Sequence, residues 1–397
     1  MAISQITEID KCCGCGVCES VCPRNCIKMV FNNEGFLYPQ INAQECIECK
    51  LCIKSCPINF CPDSSNVLYK REVYACKNTN KEILYKSSSG GVFYEISKYV
   101  LNNNGVVFGV IYKNKEAIYA MAESEDELMP MLGSKYVQSN KYNIWPNVKR
   151  QLKTGKLVLF SGTPCEIGAL RGYLRKDYDN LICVDFICMG TPSPAVFKRH
   201  LRDLEDKYGA EITNLSCRSK EYGANTLSLT LDFKNGKKYF RPQFAEPYIK
   251  SFHSRLYMRK SCHQCAYKKE LRESDFTMAD FWGIDKLKLP ISKEGGISML
   301  IIQSSKAKRI FEEIKNHFEI YPTSMDIAKE VQPMMISSCS ASPKRDLFFQ
   351  QFNSRSDERF SEIINDFIPI TRLEKLRSCL KRVKVLRIVV QSIKKLK

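Results

Sequence analysis

Hydrophobic residues along the chain form short blocks whose spacing predicts alternating helices and strands. VFYEISKYVLNN (92–103) has a helical pattern, and GVVFGVIY (105–112) predicts a buried strand. Further on, LVLFSG (157–162), TPCEIGALRGYL (163–174) and LICVDFICMG (181–190) predict a strand, a helix and a second strand. Such a unit joins parallel strands, so the middle of the chain is predicted to be an α/β fold.

A further strand is predicted over SDFTMADFWGI (274–284), and it ends in Asp280, Phe281, Trp282 and Gly283. An aromatic pair beside a carboxylate and a glycine is suited to line a flat aromatic ligand. An ordinary core strand explains the same residues equally well.

The chain divides into regions of different composition. Its 397 residues are enough for two or three domains, and the longest apolar run, at 105–112, is far shorter than a membrane-spanning helix. The N-terminus has no apolar signal core, so we expect a cytoplasmic protein. We predict four segments, in chain order a cysteine-rich domain, a linker, a large α/β domain and a helical basic tail: 1–62, 63–72, 73–340 and 341–397.

Two cysteine runs share one spacing, C-x2-C-x2-C-x3-C followed by proline, and they start at Cys12 and Cys46. This is the pattern of bacterial two-cluster ferredoxins, in which the fourth cysteine of each run binds the other cluster. It predicts one [4Fe–4S] cluster on Cys12, Cys15, Cys18 and Cys56, and another on Cys46, Cys49, Cys52 and Cys22. A pair of zinc sites fits poorly, because zinc needs four thiolates in one local tetrahedron. The remaining cysteines of this region are expected to be packing residues: Cys13, Cys26 and Cys61.

Four further cysteines follow predicted strands or form a close pair. Cys165 and Cys188 lie at the carboxyl ends of the two parallel strands, where open α/β folds bind ligands. Cys262 and Cys265 form a CxxC pair. The set is compatible with a third [4Fe–4S] cluster, with a zinc site, or with separate buried cysteines. Cys183 competes with Cys188, but strand alternation places Cys183 well before the strand end.

The stretch SSSGG (87–91) directly precedes the predicted helix 92–103. A Ser/Gly-rich turn that opens a helix presents backbone N–H groups to an anion. A bound phosphate or pyrophosphate is therefore one interpretation, and an ordinary helix cap is the other.

Basic residues are concentrated at the end of the chain. The net charge is +18, and the last 27 residues contain ten Lys or Arg and one Glu. Bound clusters would lower the charge of the remainder, so we expect no nucleic-acid partner. In this tail a helical stripe is formed by Leu373, Leu376, Leu380 and Val383. The tail is predicted to contact an anionic membrane surface, an acidic partner or the acidic ferredoxin module, or to rest on the main domain as a solvated helix.

Several motifs, taken in order, resemble the coenzyme F420 hydrogenase/dehydrogenase beta-subunit family: SSSGGVF, SKYVQS, LFSGTPCEIGALRGYL, VDFICMGTPSP, CHQCAYK and DFTMADFWGI. GFLYPQINAQECIECKLCIKSCP resembles the ferredoxin module often fused ahead of that family's domain. The resemblance implies an α+β protein. It comprises a small two-[4Fe–4S] ferredoxin domain, an α/β flavin- and cluster-binding domain and a basic C-terminal helix.

The resemblance also implies FAD and one [4Fe–4S] cluster in the second domain. The implied cluster ligands are Cys165, Cys188, Cys262 and Cys265. The implied phosphate contacts of the flavin are Ser88, Ser89, Gly90 and Gly91, and nearby positions are Lys135, Thr163, Asp280 and Trp282. Where the family often has CHG after the second strand, this chain has Met189 in the middle, so a polar neighbour of the ligand is lost.

Together with the ferredoxin spacing, the resemblance implies an iron–sulfur flavoprotein oxidoreductase that passes electrons between ferredoxin clusters and FAD and exchanges hydride with an organic substrate. Its expected partners are an external electron donor or acceptor protein and a small-molecule hydride donor or acceptor. The candidate proton donors are Asp280, Lys135 and His263, although His263 is also interpreted as a spacer between two cysteines. A non-catalytic electron-transfer subunit and a zinc-containing structural protein are the alternatives.

Overall fold

The structure is a computed structural model, and it describes residues 6–59, 69–221 and 227–380. Cys61 and most of the predicted linker 63–72 lie outside these ranges. The cysteine-rich region folds into two short helices and a hairpin: α1 (Val17–Ser20), β1 (Ile27–Phe31), β2 (Leu37–Ile41) and α2 (Leu51–Lys54). Its core consists largely of cysteine thiols, with a few apolar side chains such as Ile6 and Ile27. Because its own core contains so few apolar side chains, the module is expected to depend for stability on what its cysteines bind and on its packing against the second domain.

The second domain contains two sheets. In chain order its strands are β3 (Glu72–Asn78), β4 (Val106–Lys113), β5 (Glu116–Ala122), β6 (Val158–Gly162), β7 (Leu181–Phe186), β8 (Ile212–Ser219), β9 (Ser228–Phe233), β10 (Lys238–Pro242), β11 (Phe276–Asp280), β12 (Ser298–Ile302) and β13 (Phe318–Thr323). The large sheet has the order β13-β3-β12-β11-β7-β6-β4-β5, and β10-β9-β8 form an antiparallel sheet. Strands β4, β6, β7 and β11 are parallel, so the residues that follow β6, β7 and β11 meet at one edge.

Helices cover both sheets and the connections between them. They are α3 (Lys81–Lys86), α4 (Val92–Asn102), α5 (Glu125–Leu128), α6 (Ile144–Lys153), α7 (Pro164–Leu174), α8 (Pro194–Tyr208), α9 (Pro247–His253), α10 (Ser305–Ile314), α11 (Met325–Val331), α12 (Arg345–Ser354) and α13 (Phe360–Phe367). The predicted strand–helix–strand unit is confirmed: β6 and β7 are parallel, with Val158 opposite Leu181, and α7 joins them. The fold class predicted from the sequence is therefore confirmed.

An aromatic core joins the last helices to the rest of the second domain. Phe348 of α12 packs against Tyr257 with ring centroids 5.6 Å apart, and Phe360 of α13 packs against Tyr248 of α9 at 6.3 Å. Residues 345–367, which the sequence analysis assigned to the C-terminal tail, therefore share the main apolar core of the second domain.

The chain continues beyond α13 into a helical segment at residues 372–380. Lys250 of α9 pairs with Glu374 at 2.7 Å and holds the start of this segment on the domain. The leucines of the predicted stripe are exposed: Leu373, Leu376 and Leu380. Val383 lies outside the described residues. Within the part of the chain that the structure describes, no helix is both long and apolar enough to cross a membrane.

The ferredoxin module is docked on the second domain through its cysteine loops. Trp145 of α6 is fully buried and donates from Nε1 to the carbonyl oxygen of Cys15 at 3.0 Å. Tyr267 donates from its hydroxyl to the carbonyl oxygen of Pro57 at 2.8 Å. Both contacts reach the backbone beside predicted cluster ligands, so they fix the two domains relative to each other at the cysteine loops.

A buried ion pair adds to this docking. Arg345 of α12 donates to Glu34 of the β1–β2 turn from Nη1 at 2.8 Å and from Nη2 at 2.5 Å. Replacing Arg345 with methionine is expected to lower the free energy of unfolding by about 3–5 kcal/mol, because Glu34 is left buried without its partner. Urea unfolding followed by tryptophan fluorescence measures the change.

Arg355 provides the matched control for this prediction. Its guanidinium pairs with the carboxylates of Glu358 and Asp366, and all three side chains are partly solvated. We expect Arg355→Met to change the free energy of unfolding much less than Arg345→Met, because water and salt screen these exposed pairs. Equal losses in the two variants would contradict a special role for the pair between the domains.

Candidate functional site

The first predicted cysteine set is gathered in a buried place against the second domain. The thiols of Cys12, Cys15, Cys18 and Cys56 are all at most 8% exposed. Burial raises the pKa of the Cys18 thiol, and the neighbouring thiols of Cys12 and Cys56 raise it further. Cys56, from the second run, thus lies with three cysteines of the first run, which is the crossed arrangement that the spacing predicts.

The second predicted set lines a small cavity nearer the solvent. Its walls include Cys22, Cys46, Cys49 and Cys52. Cys49 is exposed, whereas every thiol of the first set is buried. Cys26, expected to be a packing residue, also lines this cavity, with its Sγ 3.4 Å from the Sγ of Cys22. One cysteine set therefore faces outward and the other faces the second domain.

The third set assembles at the carboxyl edge of the parallel strands. Burial raises the pKa of the Cys188 thiol, and the nearby thiols of Cys262, Cys165 and Cys265 raise it further. Cys165 lies in the first turn of α7, and Cys262 accepts a hydrogen bond from the backbone N–H of Thr191 at 3.3 Å. These four cysteines, far apart along the chain, therefore come together.

Cys183 lies elsewhere. It is buried in β7, and the groups that affect the pKa of its thiol besides burial include Arg171 and Asp275, not the third cysteine set. Its backbone N–H donates to Asp275 at 2.8 Å. Strand alternation correctly separated it from Cys188.

The donor chemistry of the three sets suits iron–sulfur clusters. Buried neighbouring thiols resist losing their protons separately, and a cationic cluster core offsets the charge of four thiolates. Among the described residues, no group of three or more His, Cys, Asp or Glu side chains is arranged to hold a single metal ion. Each set offers sulfur donors alone, which is the donor set that [4Fe–4S] clusters use.

Cys13 connects the first and third sets. Its thiol is close to those of Cys15 and Cys165, and interaction with the Cys15 thiol is the main reason that its pKa is raised. The carbonyl oxygen of Cys13 accepts from Gln138 Nε2 at 3.1 Å. Sequence reasoning assigned Cys13 to packing, because nothing in the local spacing shows what faces it across the domain boundary.

A cavity of about 870 Å³ lies between strand β8 and the loop that follows α5. Its size is within the range of cofactor pockets. The lining carries positive charge from Lys86, Lys115, Lys135, Arg218 and Lys220, against the carboxylates of Glu211 and Glu221. The cavity therefore suits a ligand with anionic groups.

Two lysines of this cavity are held in unusual surroundings. Lys135 donates from Nζ to carbonyl oxygens of its own loop, at 2.8 Å to both Met131 and Leu132, and burial lowers its pKa to about 7. Lys220 donates to the carbonyl oxygens of Leu84 and Ser89 at 2.7 and 3.0 Å. Burial, followed by the charge of Arg218, lowers the pKa of Lys220 to about 7. An anion in the cavity would stabilise both in their charged form.

Arg218 links the cavity to the predicted position Asp280. Its Nη1 and Nη2 donate to the two carboxylate oxygens of Asp280 at 2.6 and 2.9 Å. Its buried Nε has no partner among the described residues. Sequence analysis missed Arg218, near the end of β8, and Lys220, just after it, because no local motif marks either residue.

The Ser/Gly turn borders the cavity without lining it. The hydroxyl of Ser88 is 2.8 Å from that of Ser134, a lining residue. Ser89 donates to the carbonyl oxygen of Ile297, and the Gly90 N–H donates to the hydroxyl of Ser298. These groups are already used for packing against β12.

Glycine is required at the end of this turn. A Cβ on Gly90 would lie 2.1 Å from the carbonyl oxygen of Cys76, and Gly91 has φ +82° at the start of α4. Packing therefore accounts for both glycines. The positive charge that would attract an anion comes from the lysines of the cavity and not from the Ser/Gly turn.

The other predicted positions are spread around the two sites. Thr163 lies with the third cysteine set, its Oγ1 3.2 Å from the Sγ of Cys165. Trp282 is 56% exposed just after β11. His263 has Nδ1 2.9 Å from the carbonyl oxygen of Cys339, while its buried Nε2 has no partner among the described residues. Of the three proton-donor candidates, Lys135 lines the cavity.

A short segment connects the cavity to the cysteine junction. Ser134 and Lys135 line the cavity, and Gln138 contacts Cys13. Three residues of fully extended chain span at most about 11 Å, so the backbone of Lys135 lies within that distance of the backbone of Gln138. The cavity therefore lies close to the junction of the first and third cysteine sets.

Comparisons with known proteins define the class. Residues 11–60 match the family model for a 4Fe-4S dicluster domain, and residues 155–326 match that for the C terminus of the coenzyme F420 hydrogenase/dehydrogenase beta subunit. The N-terminal module is thus a [4Fe–4S] ferredoxin domain joined to an oxidoreductase domain. The chain thus contains a 4Fe-4S dicluster domain followed by the C-terminal domain of the coenzyme F420 hydrogenase/dehydrogenase beta subunit, and these two matches confirm the resemblance inferred from its motifs.

The chain is also similar to individual known proteins. The chain is 23% identical to a subunit of the F420H2 dehydrogenase of Methanosarcina mazei over 278 residues, which are 66% of this chain and 73% of that protein. It is 36% identical to an uncharacterized ferredoxin of Methanocaldococcus jannaschii over 59 residues, 15% of this chain and 75% of that protein. A chain in the solved F420-reducing [NiFe] hydrogenase complex from Methanosarcina barkeri superposes with a TM-score of 0.46 at 16% identity, covering 75% of this chain and 97% of that one.

Proposed function

We propose that this chain is a flavin-dependent iron–sulfur oxidoreductase that carries electrons between a partner protein and an organic hydride carrier. The observation that supports this proposal most is the sequence of sites: an outward cysteine set, a buried set, a third set joined to it through Cys13, and the adjacent cationic cavity. The clusters would carry single electrons, and FAD in the cavity would combine two of them into hydride chemistry.

In this proposal the third set holds a [4Fe–4S] cluster on Cys165, Cys188, Cys262 and Cys265. Their arrangement around one buried point supports the assignment. Thr163 contacts Cys165 and belongs to this site, and the backbone N–H of Thr191 donates toward Cys262. Such hydrogen bonds to ligand sulfurs stabilise the thiolate form.

The chain's own residues would hold FAD by its pyrophosphate. Lys135 and Lys220 line the cavity, and the guanidinium of Arg218 is oriented by its two hydrogen bonds with Asp280. We propose that Asp280 positions Arg218, and that Lys135, with a pKa lowered by burial to about 7, exchanges a proton with the substrate near neutral pH. His263 is held by Cys339 and is assigned no proton transfer.

The family suggests the substrate and the kind of partner. One relative is a component of an F420H2 dehydrogenase, so coenzyme F420 is the first hydride carrier to test. The electron partner is proposed to be a separate redox protein that approaches the exposed Cys49.

The basic tail is proposed to rest on an anionic membrane surface, because the apolar side chains of its described part are exposed. Removal of residues 371–397 should then reduce co-sedimentation with anionic liposomes. Unchanged sedimentation would refute this contact.

The decisive experiment is anaerobic purification followed by measurement of iron, sulfide, zinc and released flavin per chain. The proposal expects about twelve iron atoms, little zinc and about one FAD. About eight iron atoms without flavin would refute both the third cluster and the flavin site, and would leave a ferredoxin fused to a docking domain. That outcome would favour a non-catalytic electron-transfer subunit.

A further inference from the structure

Arg259 is buried at the junction of the two domains. It precedes the Cys262 loop of the second domain, is 1% exposed, and extends to the first cysteine loop of the ferredoxin module. Its Nε donates to the carbonyl oxygen of Cys12 at 2.7 Å, and its Nη2 donates to that of Leu37 at 2.9 Å. The guanidinium lies over the ring of Tyr38, 4.1 Å from the centroid. One side chain therefore connects both cluster regions.

No carboxylate of the described residues forms an ion pair with Arg259. Its partners are carbonyl oxygens, the amide oxygen of Gln138 at 3.2 Å and aromatic rings. A buried guanidinium needs an opposing negative charge, since burial of an unpaired charge is strongly unfavourable. The atom available is the Sγ of Cys12, 3.7 Å from Nη2, which is negative when it binds a cluster.

The positive charge of Arg259 also acts on the third cysteine set. Burial raises the pKa of the Cys262 thiol to about 11, and Arg259 acts in the opposite direction by favouring its thiolate. The guanidinium is thus electrostatically close to a ligand of each site. Two proposed clusters therefore share one permanent positive charge.

The ferredoxin loop is shaped to admit this side chain. Gly14 has φ +68°, and a Cβ at this position would lie 2.6 Å from Nη1 of Arg259. Any larger residue would displace the guanidinium from Cys12. The requirement for glycine inside the first CxxCxxC loop therefore comes partly from the second domain.

We propose that Arg259 is a positioning residue that raises the reduction potential of the first cluster. The inference rests on the proposed electron-carrying function and predicts the direction of electron transfer between the outward and buried sites. A fixed positive charge favours the more negative, reduced form of a cluster beside it. Arg259 thereby favours movement of one electron from the outward site to the buried site, which oxidises the former by one electron, reduces the latter by one, and moves no proton.

The test is a reductive titration of the full anaerobic chain, followed by electron paramagnetic resonance. Arg259→Gln is expected to lower the midpoint of the first cluster, so that its reduced-to-oxidised ratio at a fixed potential falls at least tenfold, which corresponds to about 59 mV for one electron. Cys49→Ser identifies the signal of the second cluster, whose midpoint should not move in Arg259→Gln.

Lys260 supplies the matched control, because Lys260→Gln also removes one positive charge at the next position. Lys260 is exposed and pairs with Asp10 at 3.6 Å, so all midpoints should stay as in the wild type. Arg259→Lys keeps the charge and should retain most of the first cluster's midpoint, even if Arg259→Gln loads its clusters poorly.

Two results would overturn the inference. One is an unchanged midpoint in an Arg259→Gln chain that retains its iron. The other is an equally large fall of the first cluster's midpoint in Arg259→Lys or Lys260→Gln. Such a fall would show that the charge of Arg259 is not the cause of the shift. A wild-type chain without reducible clusters would instead refute the proposed function itself.

Discussion

Replacing Cys188 with serine is expected to remove about four of about twelve iron atoms per chain and to abolish reduction of the flavin by the ferredoxin clusters. The cysteine lies just after β7 and is surrounded by Cys165, Cys262 and Cys265, so its loss opens the third site alone. The ferredoxin clusters should survive, because their ligands come from a different module. Iron and sulfide analysis, with stopped-flow absorbance of flavin reduction, measures both effects.

The matched control is Cys183→Ala in the same strand. Cys183 is fully buried, and it is not among the neighbouring thiols of the third set. This variant removes one sulfur from the core and should keep about twelve iron atoms with normal flavin reduction, at a modest loss of stability. If Cys183→Ala lost iron and Cys188→Ser retained it, Cys183 would be the ligand and Cys188 would not. That result would refute the proposed ligand set.

Replacing Lys135 with methionine is expected to weaken FAD binding at least tenfold at pH 6 and to flatten its dependence on pH. Burial lowers the pKa of Lys135 to about 7, so the free protein carries less charge there as the pH rises above 7. An anionic ligand restores the protonated form, so binding takes up a proton. Affinity should therefore fall between pH 7 and 9, by up to about tenfold per pH unit for each lysine that titrates.

Lys220 should steepen the dependence of FAD affinity on pH further, since its pKa is also lowered to about 7. Flavin fluorescence quenching, measured on the iron-loaded chain from pH 6 to 9, gives the slope for the wild type and for each variant. Lys115→Met is the control: Lys115 lies on the rim of the cavity, is exposed and pairs with Glu205 at 2.9 Å. Its removal should leave the slope unchanged. A wild-type affinity that is constant with pH would contradict this assignment of the cavity.

The cysteine spacing of the ferredoxin module could be interpreted from the sequence because it is a local property. A CxxCxxC loop with a fourth cysteine and a proline defines its own geometry within a dozen residues. The strand–helix–strand unit was equally local, since periodicity and chain direction together require parallel strands. From these, the placement of Cys165 and Cys188 at one edge of the sheet followed without any tertiary information.

The proposed anion site shows what a local pattern leaves open. The Ser/Gly turn was interpreted as an anion cradle, but the Gly90 N–H is bound by Ser298, which is more than 200 residues away in the chain. The charge that suits an anion comes instead from Lys135 and Lys220, which lie on different elements. A sequence pattern shows which groups a turn could offer and does not show which of them other parts of the chain already occupy.

The tertiary structure alone decided how the two domains meet. Arg259 beside Cys12, Cys13 between Cys15 and Cys165, and Arg345 against Glu34 all join residues with no local relationship. Each depends on how the module is seated on the domain, which is determined by packing over the whole interface. The sequence therefore determined which cysteines are candidate cluster ligands and how each loop folds, because spacing acts over a few residues. Only the structure determined which sites are neighbours, because that depends on contacts between residues hundreds of positions apart.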